Sequence, residues 1–178
     1  TSGRSFVDDI CQAESSNLVS ALLGGIIFNA SNILLSASVS IAGMSVAFSL
    51  GVGLALVLGV FINYFGAQKG DPVTLFLGVA FVVIAIVLNG IAASKKPASA
   101  NESKRGKTGI WLAAFAGILM SFFYRFVAAA MDLENVESPT AGMITPYTAF
   151  FVFAVGVFAS NFLFNTIVMK KPFVGSPV

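Results

Sequence analysis

The chain has 178 residues, 57% of them apolar and 10% charged, with a net charge of +2 and a mean hydropathy of +0.91. Soluble domains carry about 25% charged residues, so these figures exclude a water-soluble globule, and they exclude a disordered chain as well. The net charge is too small for a nucleic-acid partner, and one cysteine with no histidine rules out histidine-based catalysis and an intrachain disulfide.

In chain order, Ser5–Glu14 comes first. It fits either a short interfacial helix presenting Phe6, Val7 and Ile10 to a bilayer or a plain solvated lead-in. No cleavable signal peptide is visible, and the start without a methionine points to a piece of a longer protein. Five stretches then follow that are long and apolar enough to cross roughly 30 Å of hydrocarbon. They are Leu18–Ser40, Gly43–Phe65, Val73–Ala93, Gly109–Met131 and Ile144–Met169. They carry one charge, Arg125, while the other seventeen charged residues sit in the connections. A soluble bundle would spread charge along one side of each helix. The predicted class is therefore an all-α integral membrane protein, seated in a lipid bilayer through five transmembrane helices.

The connections carry turn chemistry. Ile41–Ala42 allows only a tight hairpin, with Gly43 as its flexible point. Gly70-Asp71-Pro72 reads as a turn and a helix start, and Pro146 suits the first turn of the fifth span. Residues 94–108 form the one polar, lysine-rich loop. Lys95, Lys96, Lys104, Arg105 and Lys107 lie in it, and Lys170 and Lys171 follow the fifth span on the same side of the membrane. The other side holds Arg4 and Lys69 against seven acids. Short loops rich in Lys and Arg stay cytoplasmic, so the beginning of the chain is expected outside a cell membrane and its end inside.

The second span repeats small residues every four positions: Gly43, Ala47, Gly51, Ala55 and Gly59. Small residues let helix backbones approach closely in lipid. This row fits tight packing, or helix rocking at Gly43, Gly51 and Gly59. Polar residues inside spans carry more information. The first span has Asn29 and Asn32, continued by Ser36 and Ser40. The fifth has Asn161 and Asn165 on one face with Tyr147, Phe151, Ala154 and Phe158. Amides facing lipid are poorly satisfied, so each pair either ties helices together or lines a polar pathway in which a small-molecule substrate is bound. Neutral amides offer such a solute both a donor and an acceptor.

Arg125 is the one charge within a span and a functional candidate by default. It lies six residues before Met131, about 9 Å along an ideal helix, so snorkelling to the interface competes with substrate binding. Asp132 stands two turns further on, placed to close an outer gate. No span contains Asp or Glu, so a proton-driven carrier has its acid at the outer margin (Asp132, Asp71, Asp8 or Asp9) or elsewhere in a longer chain. There is no lysine-bearing phosphate loop, no candidate metal site and no sign of a cofactor or of an enzyme's catalytic residues.

Several stretches are shared with a known group: Ser5-Phe6-Val7-Asp8-Asp9, Gly24-Gly25-Ile26-Ile27-Phe28-Asn29 with Asn32, Gly43-Met44-Ser45-Val46, and Gly59 to Asn63-Tyr64-Phe65. Phe123-Tyr124-Arg125-Phe126, Pro146-Tyr147-Thr148-Ala149-Phe150-Phe151, Asn161, Asn165 and Lys171-Pro172-Phe173-Val174-Gly175 continue them. On these motifs the chain resembles the ureide permease family of the drug/metabolite transporter superfamily. The resemblance implies a ten-helix bundle of which residues 1–178 supply about helices three to seven, packed against missing helices of the same full-length chain. It also implies transport of allantoin, uracil, xanthine and related nitrogen heterocycles, coupled to protons. The central loop is short here, and Ser49 stands where related sequences are expected to carry a helix-breaking proline.

The expected function is a secondary carrier working by alternating access. Two alternatives stay open: a sugar or multidrug carrier of the same superfamily, and a structural membrane subunit without transport.

Overall fold

The computed structural model describes residues 4–67, 70–95, 100–136, 138–171 and 173. Among these the chain forms six helices: α1 (Phe6–Gln12), α2 (Ser15–Ala42), α3 (Met44–Ala67), α4 (Pro72–Ser94), α5 (Ala100–Ala129) and α6 (Pro146–Lys170). A single parallel bridge, Met131 to Ile144, is the only β pairing among the described residues. The last five helices are each long and apolar enough to cross a membrane. The chain is thus an all-α protein with five candidate spans.

The boundaries follow local chemistry. Ser5 caps α1 by accepting the Asp8 amide. Gly43 alone separates α2 from α3, at φ +84°, a left-handed conformation that side-chain-bearing residues adopt at a cost. At the head of α4, Gly70 turns the chain at φ +101° and Asp71 accepts the Thr74 amide at 2.8 Å. Pro72 then takes the first helical position, where no N–H is needed. Thr145 and Pro146 repeat that arrangement at α6, the Thr145 hydroxyl accepting the Thr148 amide at 3.4 Å.

Two boundaries differ from expectation. Helix α5 begins at Ala100, so the polar loop expected over 94–108 is largely helix. Residues 100–108 contain Ala, Glu, Lys and Arg, which favour helix even without an apolar face; residues 96–99 lie outside the described residues. Helix α5 also stops at Ala129 rather than Met131, because Met131 leaves it to bridge Ile144. The Ser5–Glu14 stretch resolves in favour of a short helix.

The described residues group into two compact units, one within 4–29 and 122–165, the other within 30–121 and 166–173. In the first unit the core is Ala21, Ala130, Ile144 and Ala149. Its helices meet at glycines. A Cβ on Gly25 would strike the Phe153 carbonyl, one on Gly156 the Leu22 carbonyl, and one on Gly24 would lie 2.7 Å from Val127. Phe28, Phe123 and Phe153 fill the space alongside, with Phe28 5.0 Å from Phe123 and 5.3 Å from Phe153, centroid to centroid. Ser20 donates to the Phe126 carbonyl at 2.7 Å.

In the second unit the core is Leu35, Ala47 and Ala116. Gly51 does the packing expected of it: a Cβ there would lie 2.6 Å from Leu35 and 3.3 Å from the Ala113 carbonyl, and a Cβ on Gly117 would lie 2.5 Å from the Gly51 carbonyl. Gly59 meets nothing within 4 Å, so the small-residue row ends as a contact before it. Ser31 donates to the Ala116 carbonyl at 2.8 Å and Ser38 to the Gly109 carbonyl at 2.7 Å. Helix α4 packs on α3 through Ile86 against Gly53 and Phe76 against Tyr64, and none of its described residues is fully buried.

Candidate functional site

Two places combine polar chemistry with apolar surroundings, both in the first unit. The first is a face of α6. Its buried residues are Thr148, Ala149, Gly156 and Ser160. The opposite face is exposed and carries Tyr147, Phe151, Phe158, Asn161 and Asn165. The amide of Asn165 donates to the Asn161 carbonyl oxygen at 3.1 Å, which orients both side chains and leaves the remaining amide hydrogens and the second carbonyl available. Tyr147 is 86% exposed, and Phe151 meets the edge of Phe6 at 5.0 Å. The face extends from Tyr147 to Asn165, eighteen residues or about 27 Å of helix.

The expected partner pair on α2 is placed differently. Asn29 is buried, and its amide donates to the Ser160 hydroxyl at 2.9 Å and to the Val157 carbonyl at 3.3 Å. Both amide hydrogens are committed to α6, so Asn29 ties helices rather than presenting donors to a solute. Asn32 is half-buried. Ser36 and Ser40 are exposed, and Ser40 bonds only its own helix at the Ala37 carbonyl. Beside Asn29, α2 also buries Gly24, Ser31 and Ser38, spaced by seven. Small residues repeated on one helix side allow close helix contact, and this spacing marks Ser31 and Ser38, whose hydroxyls carry no amide signal.

Arg125 is exposed and makes no hydrogen bond or ion pair with the described residues. Because α5 ends at Ala129, Arg125 lies four residues, or about 6 Å, from its end. An arginine spans that distance readily. Asp132 forms no ion pair with it among the described residues. Its carboxylate accepts the amides of Glu134 (3.1 Å), Asn135 (3.1 Å) and Thr140 (3.2 Å), and so organises its own loop. The Thr140 and Asn135 amides lead the bonds that lower its pKa to about 2.

The second place is a polar cluster where α1 meets the start of α6. Asp9 is fully buried, and Arg4 donates to its Oδ1 at 3.1 Å. Its Oδ2 accepts the amide and the hydroxyl of Thr145, each at 2.8 Å. Arg4 also donates to the carbonyls of Pro139 (2.8 Å) and Met143 (3.3 Å). Gln12 donates to the Met143 carbonyl and accepts the Gly142 amide, both at 2.9 Å. Burial raises the pKa of Asp9, but bonding from Thr148, Thr145 and Arg4 outweighs it, and the net shift is downward. Of the acids placed at the margin from sequence, Asp9 is the buried one. Its partner Thr145 lies more than a hundred residues away, and no local spacing signals that pairing.

No family model, curated protein or solved structure matches the chain. No cluster of potential metal ligands is present among the described residues.

Proposed function

We propose that the chain is part of a secondary carrier for small polar nitrogenous solutes, such as ureides and nucleobases, working by alternating access. The observation that carries this reading is the α6 face. Exposed amides on a helix otherwise apolar enough to span a membrane are costly against hydrocarbon, so Asn161 and Asn165 call for a polar neighbour. A solute pathway lined by further helices of a longer chain supplies one. A planar heterocycle stacks on rings such as Tyr147 and Phe151 and bonds the amides through its own N–H and C=O groups. The resemblance to ureide permeases supports the same substrate class. The carrier sits in the cell membrane with the basic stretch that opens α5 and the end of α6 cytoplasmic, on the charge distribution, and its helices pack through Gly25, Gly51 and Gly156.

The test is uptake of labelled allantoin and uracil by the full-length protein in proteoliposomes, with and without a proton gradient. Uptake that falls in the Asn161→Ala and Tyr147→Ala proteins supports the reading. Robust sugar flux without uptake of either solute replaces it with a sugar carrier. No flux of any solute, from a protein shown to be folded and inserted, replaces it with a structural subunit.

A further inference from the structure

Helix α1 has seven residues, and the only one it buries is Asp9. Its large apolar side chains Phe6 and Val7 are 45% and 67% exposed. Apart from the edge contact of Phe6 with Phe151, apolar burial contributes little to holding α1 in place. What joins it to the 139–148 stretch is polar. Three oxygens converge on the guanidinium of Arg4: Asp9 Oδ1 at 3.1 Å, the Met143 carbonyl at 3.3 Å and the Pro139 carbonyl at 2.8 Å. The second carboxylate oxygen is held by Thr145 at the head of α6. Arg4 thus acts as a planar cation delivered to an oxygen cage by its own chain.

We propose that α1 is a strap fastened to the start of α6 by this cage, and that the cage is a binding site for a planar monocation of the guanidinium class, filled in the intact chain by Arg4. The fork of donors on a guanidinium matches several oxygens lying near one plane, whereas a sodium ion needs more ligands in a closed shell. Arg4 is the cation facing Asp9. Among neighbouring acids, Asp8 is turned to Ser5 at 2.5 Å, Glu14 lies beside Gly142, and the facing Thr145, just before α6, and Thr148, within it, are neutral. Removing Arg4 leaves a buried carboxylate without its counter-charge, which is strongly unfavourable, so the strap is expected to open.

Cys11 is exposed on α1 and is the one cysteine of these 178 residues, so a nitroxide attached there, with any cysteine elsewhere in a longer chain replaced by serine, reports on the strap. In the intact protein the label should show a restricted line shape at neutral pH, and the Thr145 amide should resist hydrogen exchange. Arg4→Ala should lose both signatures while keeping its helix content. Millimolar guanidinium should restore both in Arg4→Ala but not in Asp9→Asn, and equal sodium chloride should restore neither. A label in Arg4→Ala as restricted as in the parent overturns the proposal, as does rescue by sodium chloride equal to rescue by guanidinium. Should both variants fail to fold, acid titration of the labelled parent decides. Asp9 has a lowered pKa, so the strap should hold throughout the range above the ordinary aspartate value of about 3.9 and open only below it. A label already mobile at neutral pH overturns the strap. None of these readouts involves a transported solute, so either outcome leaves the carrier reading untouched.

Discussion

The side-chain amide of Asn29 lies between α2 and α6, donating to the hydroxyl of Ser160 at 2.9 Å. A polar pair inside an apolar contact fixes both the rotation and the register of the two helices. Such bonds in membrane proteins contribute about 0.6 kcal/mol on average and up to about 1.7. Asn29→Ala is expected to destabilise by about 1 kcal/mol in micelle unfolding. Ser160→Ala should lose less when Asn29 is already alanine; full additivity of the two changes would mean that the bond contributes nothing.

The glycines divide into two classes. Gly25 and Gly156 face carbonyls on the other helix, where backbone cannot step aside, whereas Gly59 faces open space. Gly25→Ala and Gly156→Ala should each cost at least about 2 kcal/mol through overpacking. Gly59→Ala should be neutral or slightly stabilising, since alanine favours helix by up to about 1 kcal/mol. Thermal unfolding of the three variants checks this, and equal midpoints would refute it.

Asp132 sets a pH dependence with a definite sign. Its folded pKa of about 2 lies below the ordinary aspartate value, so its contribution is complete above about 3.9 and is lost as pH falls through 2. The Thr140 amide resonance should be unchanged from neutral pH to about 4 and move only near 2. Asp132→Ala should abolish that transition and raise amide exchange through the 132–140 loop, leaving the helices intact. A Thr140 transition centred near 4 would show that these bonds do not form.

Arg125 is expected to behave as an anchor. Lacking a partner among the described residues, it should tolerate Arg125→Lys with a stability change within about 0.5 kcal/mol, as surface substitutions usually do. Uptake by that variant should match the parent in the assay described for the α6 face. A large loss of flux with normal insertion would instead place the guanidinium in the pathway.

All five long helices are legible in the sequence, because a span of apolar residues needs no partner to announce itself. Turns at Gly43 and Gly70 and the start at Pro146 are equally local, since a positive φ or a missing N–H belongs to one residue. The cluster of Arg4, Asp9 and Thr145 is not legible in this way: its members are ordinary polar residues of a short helix and its flanking segments until tertiary contact brings them together. Asn29 shows the intermediate case. Its polarity marks it as an inward-facing residue, but whether an inward amide meets a helix or a solute depends on what stands opposite, and here that is Ser160. The α5 boundary at Ala100 differs for another reason, since hydrophobicity marks only the span and a polar stretch can be helical without it.

Gly43 is the whole of the connection between α2 and α3, so a bilayer that takes up these two candidate spans takes them up as one hairpin. Entering a bilayer together, they carry only a single turn's polar backbone across the hydrocarbon. The approach of Leu35 to Gly51, sixteen residues further along, can form as soon as α3 emerges. Lengthening that turn by a few flexible residues would remove the early pairing and let α2 settle alone, changing the order of assembly while leaving every final contact available.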